Sequence, residues 1–123
     1  MSNYPLATNT WDEKELNAIQ LVIGRNNFTM GDSVEQFEKD FSRFMNRKYC
    51  LMVSSGSAAN LIATAALFYT KNPRLKRGDE VIVPAVSWST TYYPLQQYAL
   101  RLKFVDIDLE TLNYDMDALN SAI

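Results

Sequence analysis

Three short apolar runs alternate with stretches of helical character, and this alternation constrains the fold most. The runs are Tyr49–Val53, Glu80–Val83 and Leu102–Asp108. A helix running to about Thr70 is expected between the first two, and one over Tyr92 to Leu100 between the second and third. Strands separated by helices with short links imply parallel pairing, because a chain must cross over through a helix to lay the next strand in the same direction. Parallel strands are covered on both faces, which suits the continuous apolar run Val81–Val83. The expected fold class is therefore α/β.

Two helices are expected ahead of the first run. Thr10 precedes Trp11-Asp12-Glu13, and Leu16, Ile19, Val22 and Ile23 recur at helical spacing until Gly24. In the second, Asp32 or Ser33 is a capping residue, and Val34, Phe37, Phe41 and Phe44 share one face. A further helix begins near Asp115.

Between the first run and its helix lies Ser54-Ser55-Gly56-Ser57-Ala58-Ala59-Asn60, the segment richest in hydroxyls and small side chains. A helix N-terminus has backbone N–H groups without intrahelical partners and a partial positive charge. With Gly56 allowing close approach and Ser55 and Ser57 adding hydroxyls, the turn is a candidate anion or phosphate site; simple helix capping is the alternative. No Gly-Lys-Ser/Thr sequence follows, and Gly56 has no companion glycines, so neither common nucleotide-binding loop is present. Trp88 stands where the second run ends, among Ser87, Ser89, Thr90 and Thr91. Functional residues of parallel α/β sheets gather at such strand ends. Its face is suited to stacking on a planar ring, with core or interface packing as the alternative. Asp106 and Asp108 are metal ligands, catalytic acids or, more simply, turn formers.

The totals narrow the function classes. The chain has 123 residues, a formal net charge of −2 and no histidine, which gives no support for nucleic-acid binding and excludes any histidine-based metal site or base within it. The single Cys50 has no disulfide partner and reads as a core thiol. The opening segment lacks a basic, apolar leader, and no window reaches membrane-spanning length, so a cytoplasmic location away from membranes is expected.

The chain resembles the DegT/DnrJ/EryC1/StrS group of pyridoxal-phosphate enzymes. The resemblance is carried by Phe28-Thr29-Met30-Gly31, Val53–Leu61, Gly78-Asp79-Glu80-Val81-Ile82-Val83-Pro84 and Val105-Asp106-Ile107-Asp108. Pro84–Tyr98, the opening Tyr4-Pro5-Leu6-Ala7 and Trp11 are similar to the branch of nucleotide-sugar 3-dehydratases, such as those acting on GDP-4-keto-6-deoxy-D-mannose. The resemblance implies residues 1–123 as the N-terminal part of a fold-type I, aspartate aminotransferase-like large domain with an incomplete sheet. It implies pyridoxal 5′-phosphate or pyridoxamine 5′-phosphate as cofactor, held by Gly56 and Ser57 at the phosphate and by Trp88 on the ring, with Phe28 and Thr29 bordering the substrate cleft.

The implied reaction is loss of the C3 hydroxyl from a nucleotide-linked 4-keto-6-deoxyhexose in surface-polysaccharide deoxysugar synthesis, with glutamate as amino donor and a homodimer as the working form. A nucleotide-sugar aminotransferase is the alternative within the family; a non-catalytic phosphate- or nucleotide-binding module, or an inert fragment, is the alternative outside it. The resemblance puts the catalytic base, histidine in the dehydratases and lysine in the aminotransferases, downstream of these residues, so no catalytic residue is expected here. It also separates the first run from the next two in the sheet, so that strand edges lack partners and the chain alone is expected not to be a stable, active enzyme.

Overall fold

The computed structural model describes Pro5 and residues 7–123, so Tyr4 and Leu6 of the opening motif lie outside the described residues. The chain divides into two compact units, Met1–Met52 and Val53–Ile123.

The first unit holds α1 (Glu13–Arg25) and α2 (Asp32–Phe44). Asp12, rather than Thr10, caps α1. Its carboxylate accepts from the Lys14 N–H at 2.7 Å, while Glu15 accepts from the Asp12 N–H at 2.8 Å, a reciprocal capping box. Gly24 lies inside the helix, and the left-handed residue that ends it is Asn26, with φ of 52°. Asp32 and Ser33 fall in the first turn of α2, whose cap position is Gly31 with no side-chain hydrogen bond. A Cβ on Gly31 would stand 2.8 Å from Asn27 Nδ2, so packing accounts for that glycine. The phenylalanine face forms as the spacing predicts: Phe37 stacks on Phe41 at 5.5 Å, and Phe41 tilts against Phe44 at 6.3 Å.

Tyr49–Val53 differs from its expected form. Its residues, expected as a strand, join no strand ladder among the described residues. Cys50, expected in the core, is half-buried.

The second unit comprises α3 (Gly56–Tyr69), β1 (Glu80–Pro84), α4 (Ser89–Gln97), β2 (Arg101–Val105) and α5 (Met116–Ala122). The two strands pair in parallel, from Glu80 opposite Arg101 to Pro84 opposite Val105, with α4 as the crossover. The expected α/β architecture, with parallel strands and an incomplete sheet, is thus present. α3 packs on α4, and both α4 and α5 lie against β2. Val83, Leu100 and Val105 are buried, as are Pro94 and Thr64. Tyr92 anchors the crossover: its hydroxyl donates to the Pro84 carbonyl at 2.6 Å, and its ring meets Phe104 edge-on at 5.4 Å. α4 begins three residues earlier than its expected start at Tyr92, so the hydroxyl-rich segment after Trp88 forms the helix's first turn. β2 ends at Val105, ahead of both aspartates.

Candidate functional site

The first turn of α3 carries the hydroxyl-rich motif. Ser55 is its N-cap, in extended backbone, with Oγ accepting from the Ala58 N–H at 3.2 Å. The Ala59 N–H closes onto the Ser55 carbonyl at 3.0 Å. Gly56 and Ser57 occupy the first two helical positions, where an N–H has no carbonyl within the helix to reach. Ser55 therefore performs the capping role, while Gly56 and Ser57 keep their backbone donors available.

The glycine at position 56 has no local cause. Its φ is not positive, and a Cβ built there meets nothing within 4 Å, in contrast to Gly78, with φ of 86°, and to Gly31, which Asn27 confines. The electrostatics of this turn are also distinctive. The first turns of α1, α2 and α5 contain the chain's own carboxylates, which answer the helix dipole; those of α3 and α4 contain none. Positive potential at these two ends is left uncompensated by acidic side chains on the helices themselves.

Trp88 is the N-cap of α4 and is 73% exposed. Beside it, the Ser87 and Thr91 hydroxyls are paired at 2.9 Å. A concavity of about 200 Å³ lies between α3 and α4, lined by Ser57, Leu61, Thr90, Tyr93 and Gln97 among others; Trp88 itself is not in that lining.

One connection between these helices goes beyond the expectations from the sequence. Pro94 lies inside α4 and has no N–H to offer the carbonyl four residues earlier, that of Thr90. Asn60 of α3 donates its side-chain Nδ2–H to that carbonyl at 3.4 Å. A proline beyond the first turn of a helical stretch is the available signal, since it leaves the carbonyl four residues earlier needing another donor.

Phe28 and Thr29 belong to the first unit. They line a concavity of about 280 Å³ with Arg25, Asn27 and the start of α2. The structure brings Gly56 and Ser57 together on one helix end and Trp88 to the start of the helix packed beside it, while Phe28 and Thr29 stand in their own unit.

The two aspartates act as turn formers. Asp108 Oδ1 accepts from the N–H groups of Glu110 and Thr111 at 2.9 and 2.7 Å and from the Thr111 hydroxyl at 3.0 Å. These bonds, the Thr111 N–H foremost, hold its carboxyl below the usual aspartate range. Asp106 Oδ1 accepts from the Ile107 N–H at 2.8 Å. Among the described residues no group of three or more acidic or thiol side chains converges as a metal site would require.

Residues 9–123 match the family model described as the DegT/DnrJ/EryC1/StrS aminotransferase family. The chain is 68% identical over its whole length to GDP-4-keto-6-deoxy-D-mannose 3-dehydratase of Yersinia pseudotuberculosis, of which it covers 31%. Among solved structures, it matches the E. coli GDP-4-keto-6-deoxy-D-mannose-3-dehydratase with bound hydrated PLP. That match has a TM-score of 0.87 and 63% identity, covering 98% of this chain and 31% of that one. A GDP-4-keto-6-deoxymannose-3-dehydratase with bound GDP-perosamine matches with a TM-score of 0.86 at the same identity and coverage. The chain thus spans about a third of the length of these relatives. With the family model matched over residues 9–123, this chain belongs to the DegT/DnrJ/EryC1/StrS aminotransferase family.

Proposed function

We propose that the chain is the N-terminal part of the large domain of a pyridoxal-phosphate-dependent nucleotide-sugar 3-dehydratase, and that it supplies the cofactor-phosphate cradle and the ring-stacking face. The observation that carries this reading is Gly56: an unhindered, non-strained glycine at the first position of α3, beside backbone donors that have no partner within the helix.

The residues fit the group. Gly56 and Ser57 offer N–H donors, and the Ser57 hydroxyl adds a third, at a helix end whose own first turn carries no carboxylate. Charge-assisted hydrogen bonds to a phosphate are the strong kind. The exposed indole of Trp88, at the start of the adjoining helix, offers a face for an aromatic heterocycle. The bound cofactor supplies the electron sink for chemistry next to the sugar's keto group. This chain's part is to hold and orient; its zero histidine count assigns the dehydratase base to another segment.

The name of the 68%-identical relative supports a GDP-linked 4-keto-6-deoxyhexose as substrate. A dehydratase structure with a trapped PLP-glutamate geminal diamine supports glutamate as the amino donor; a homodimer as the assembled enzyme is part of the same proposal. Phe28 and Thr29, beside Arg25 in their own concavity, border the substrate cleft in this reading. Its setting is the cytoplasm, where nucleotide sugars are made.

The test is a titration of the chain with pyridoxal 5′-phosphate, following Trp88 emission in a Trp11→Phe background. Saturable quenching, with pyridoxal lacking the phosphate binding at least tenfold more weakly, is the expected result. Saturable binding of GDP with none of pyridoxal phosphate would replace this reading with that of a nucleotide-binding module. A reading of the gene beyond Ile123 separates the two enzyme branches by whether histidine or lysine occupies the base position.

A further inference from the structure

We infer that Asn60 is a positioning residue for this site, setting the start of α4, and with it Trp88, relative to the phosphate-facing turn of α3. The inference rests on the proposed role of Gly56, Ser57 and Trp88, and it assigns a purpose to the last residue of the hydroxyl-rich motif. Gly56 and Asn60 are four positions apart, so the cradle and the tether lie about one helical turn from each other on α3. Thr90 is two residues from Trp88, in the first turn of α4.

The bond exists because of Pro94. In an uninterrupted helix the Thr90 carbonyl would accept from the N–H of residue 94; proline has none. The carbonyl is satisfied instead by Asn60 Nδ2 from the neighbouring helix, at 3.4 Å. The backbone of Asn60 lies within α3, where the buried Thr64 donates its hydroxyl to the Asn60 carbonyl at 2.9 Å. A bond that would be internal to α4 has become a link between α3 and α4, beside the concavity that Ser57 and Thr90 both line.

This origin makes the link testable by a double-mutant cycle. In the whole chain, Asn60→Leu removes the donor that α3 gives the Thr90 carbonyl and so releases the start of α4 from α3. Pyridoxal 5′-phosphate binding is then expected to weaken about three- to tenfold, the range for one lost neutral hydrogen bond. Amide-exchange protection should fall in α4 while α3 keeps its own. Pro94→Ala restores an N–H at position 94, so in that background Asn60→Leu should change affinity and α4 protection by less than about twofold, the bond having returned inside α4. Equal losses from Asn60→Leu in both backgrounds, or none in either, would overturn the inference. If the parent chain does not bind pyridoxal phosphate, the proposed function fails, and the exchange cycle in α4 still decides whether Asn60 sets that helix.

Discussion

Replacing Gly56 by alanine separates what the fold needs from what the site needs. The backbone at position 56 is accessible to any L-residue, and the added Cβ meets nothing within 4 Å. Exchanging glycine for alanine at such a position favours the folded state by about 0.4–1 kcal/mol, chiefly by restricting the unfolded chain. In the proposed cradle, the same methyl would crowd a phosphate drawn up to the Gly56 and Ser57 donors. Loss of one charge-assisted hydrogen bond to a phosphate costs about 1.5–3 kcal/mol, or roughly ten- to hundredfold in affinity. Gly56→Ala is therefore expected to leave α3 equally or better protected in amide exchange while weakening pyridoxal phosphate by at least tenfold. Pyridoxal without the phosphate should be nearly unaffected. Unchanged phosphate-dependent binding would refute the cradle; lower protection of α3 would refute the claim that the fold does not need this glycine.

Other outcomes follow from the same geometry. Trp88→Ala should weaken pyridoxal phosphate and pyridoxal alike, by about 0.5–1.5 kcal/mol of lost stacking, without altering α3 protection; an effect confined to the phosphorylated form would place the indole elsewhere. Tyr92→Phe removes the donor to the Pro84 carbonyl and should reduce amide protection in α4 by about 1 kcal/mol, with no change in α1 or α2 as the control. In an NMR titration, Asp108 should lose its proton at a lower pH than an unperturbed aspartate, whose value is about 3.9, and Thr111→Ala should raise that midpoint. Because the folded value is the lower one, the 108–111 turn keeps its full contribution above the unfolded-state value. It loses that contribution as pH falls through the folded value; a midpoint at or above the ordinary value would contradict the hydrogen-bond account.

The parts of this fold legible in the sequence were those governed by local chemistry. Glu80–Val83 and the first part of Leu102–Asp108 announced strands through apolar, β-branched composition, and they pair in parallel as their helical connection required. The phenylalanine face of α2 followed from spacing alone. Helix ends were less legible, because several residues of equal aptitude competed: Asp12 displaced Thr10 by gaining Glu15 as a reciprocal partner, and Asn26 displaced Gly24. Tyr49–Val53 has a strand's composition, but a ladder needs a neighbour, and no pattern within a run supplies one. At the site, Gly56, Ser57 and Trp88 were singled out by their positions after strand-like runs. Asn60 is not legible as part of it, because its partner is 30 residues away and owes its availability to a proline.

The central claim, that the backbone of Gly56 and Ser57 receives the phosphate of a pyridoxal cofactor, is tested most directly by amide shifts in the 15N-labelled chain on adding pyridoxal 5′-phosphate. The account predicts that the largest saturable changes fall on the Gly56 and Ser57 N–H groups and on the Trp88 indole N–H, with inorganic phosphate moving the first two alone. Saturable changes centred elsewhere, with these three groups unmoved, would contradict it.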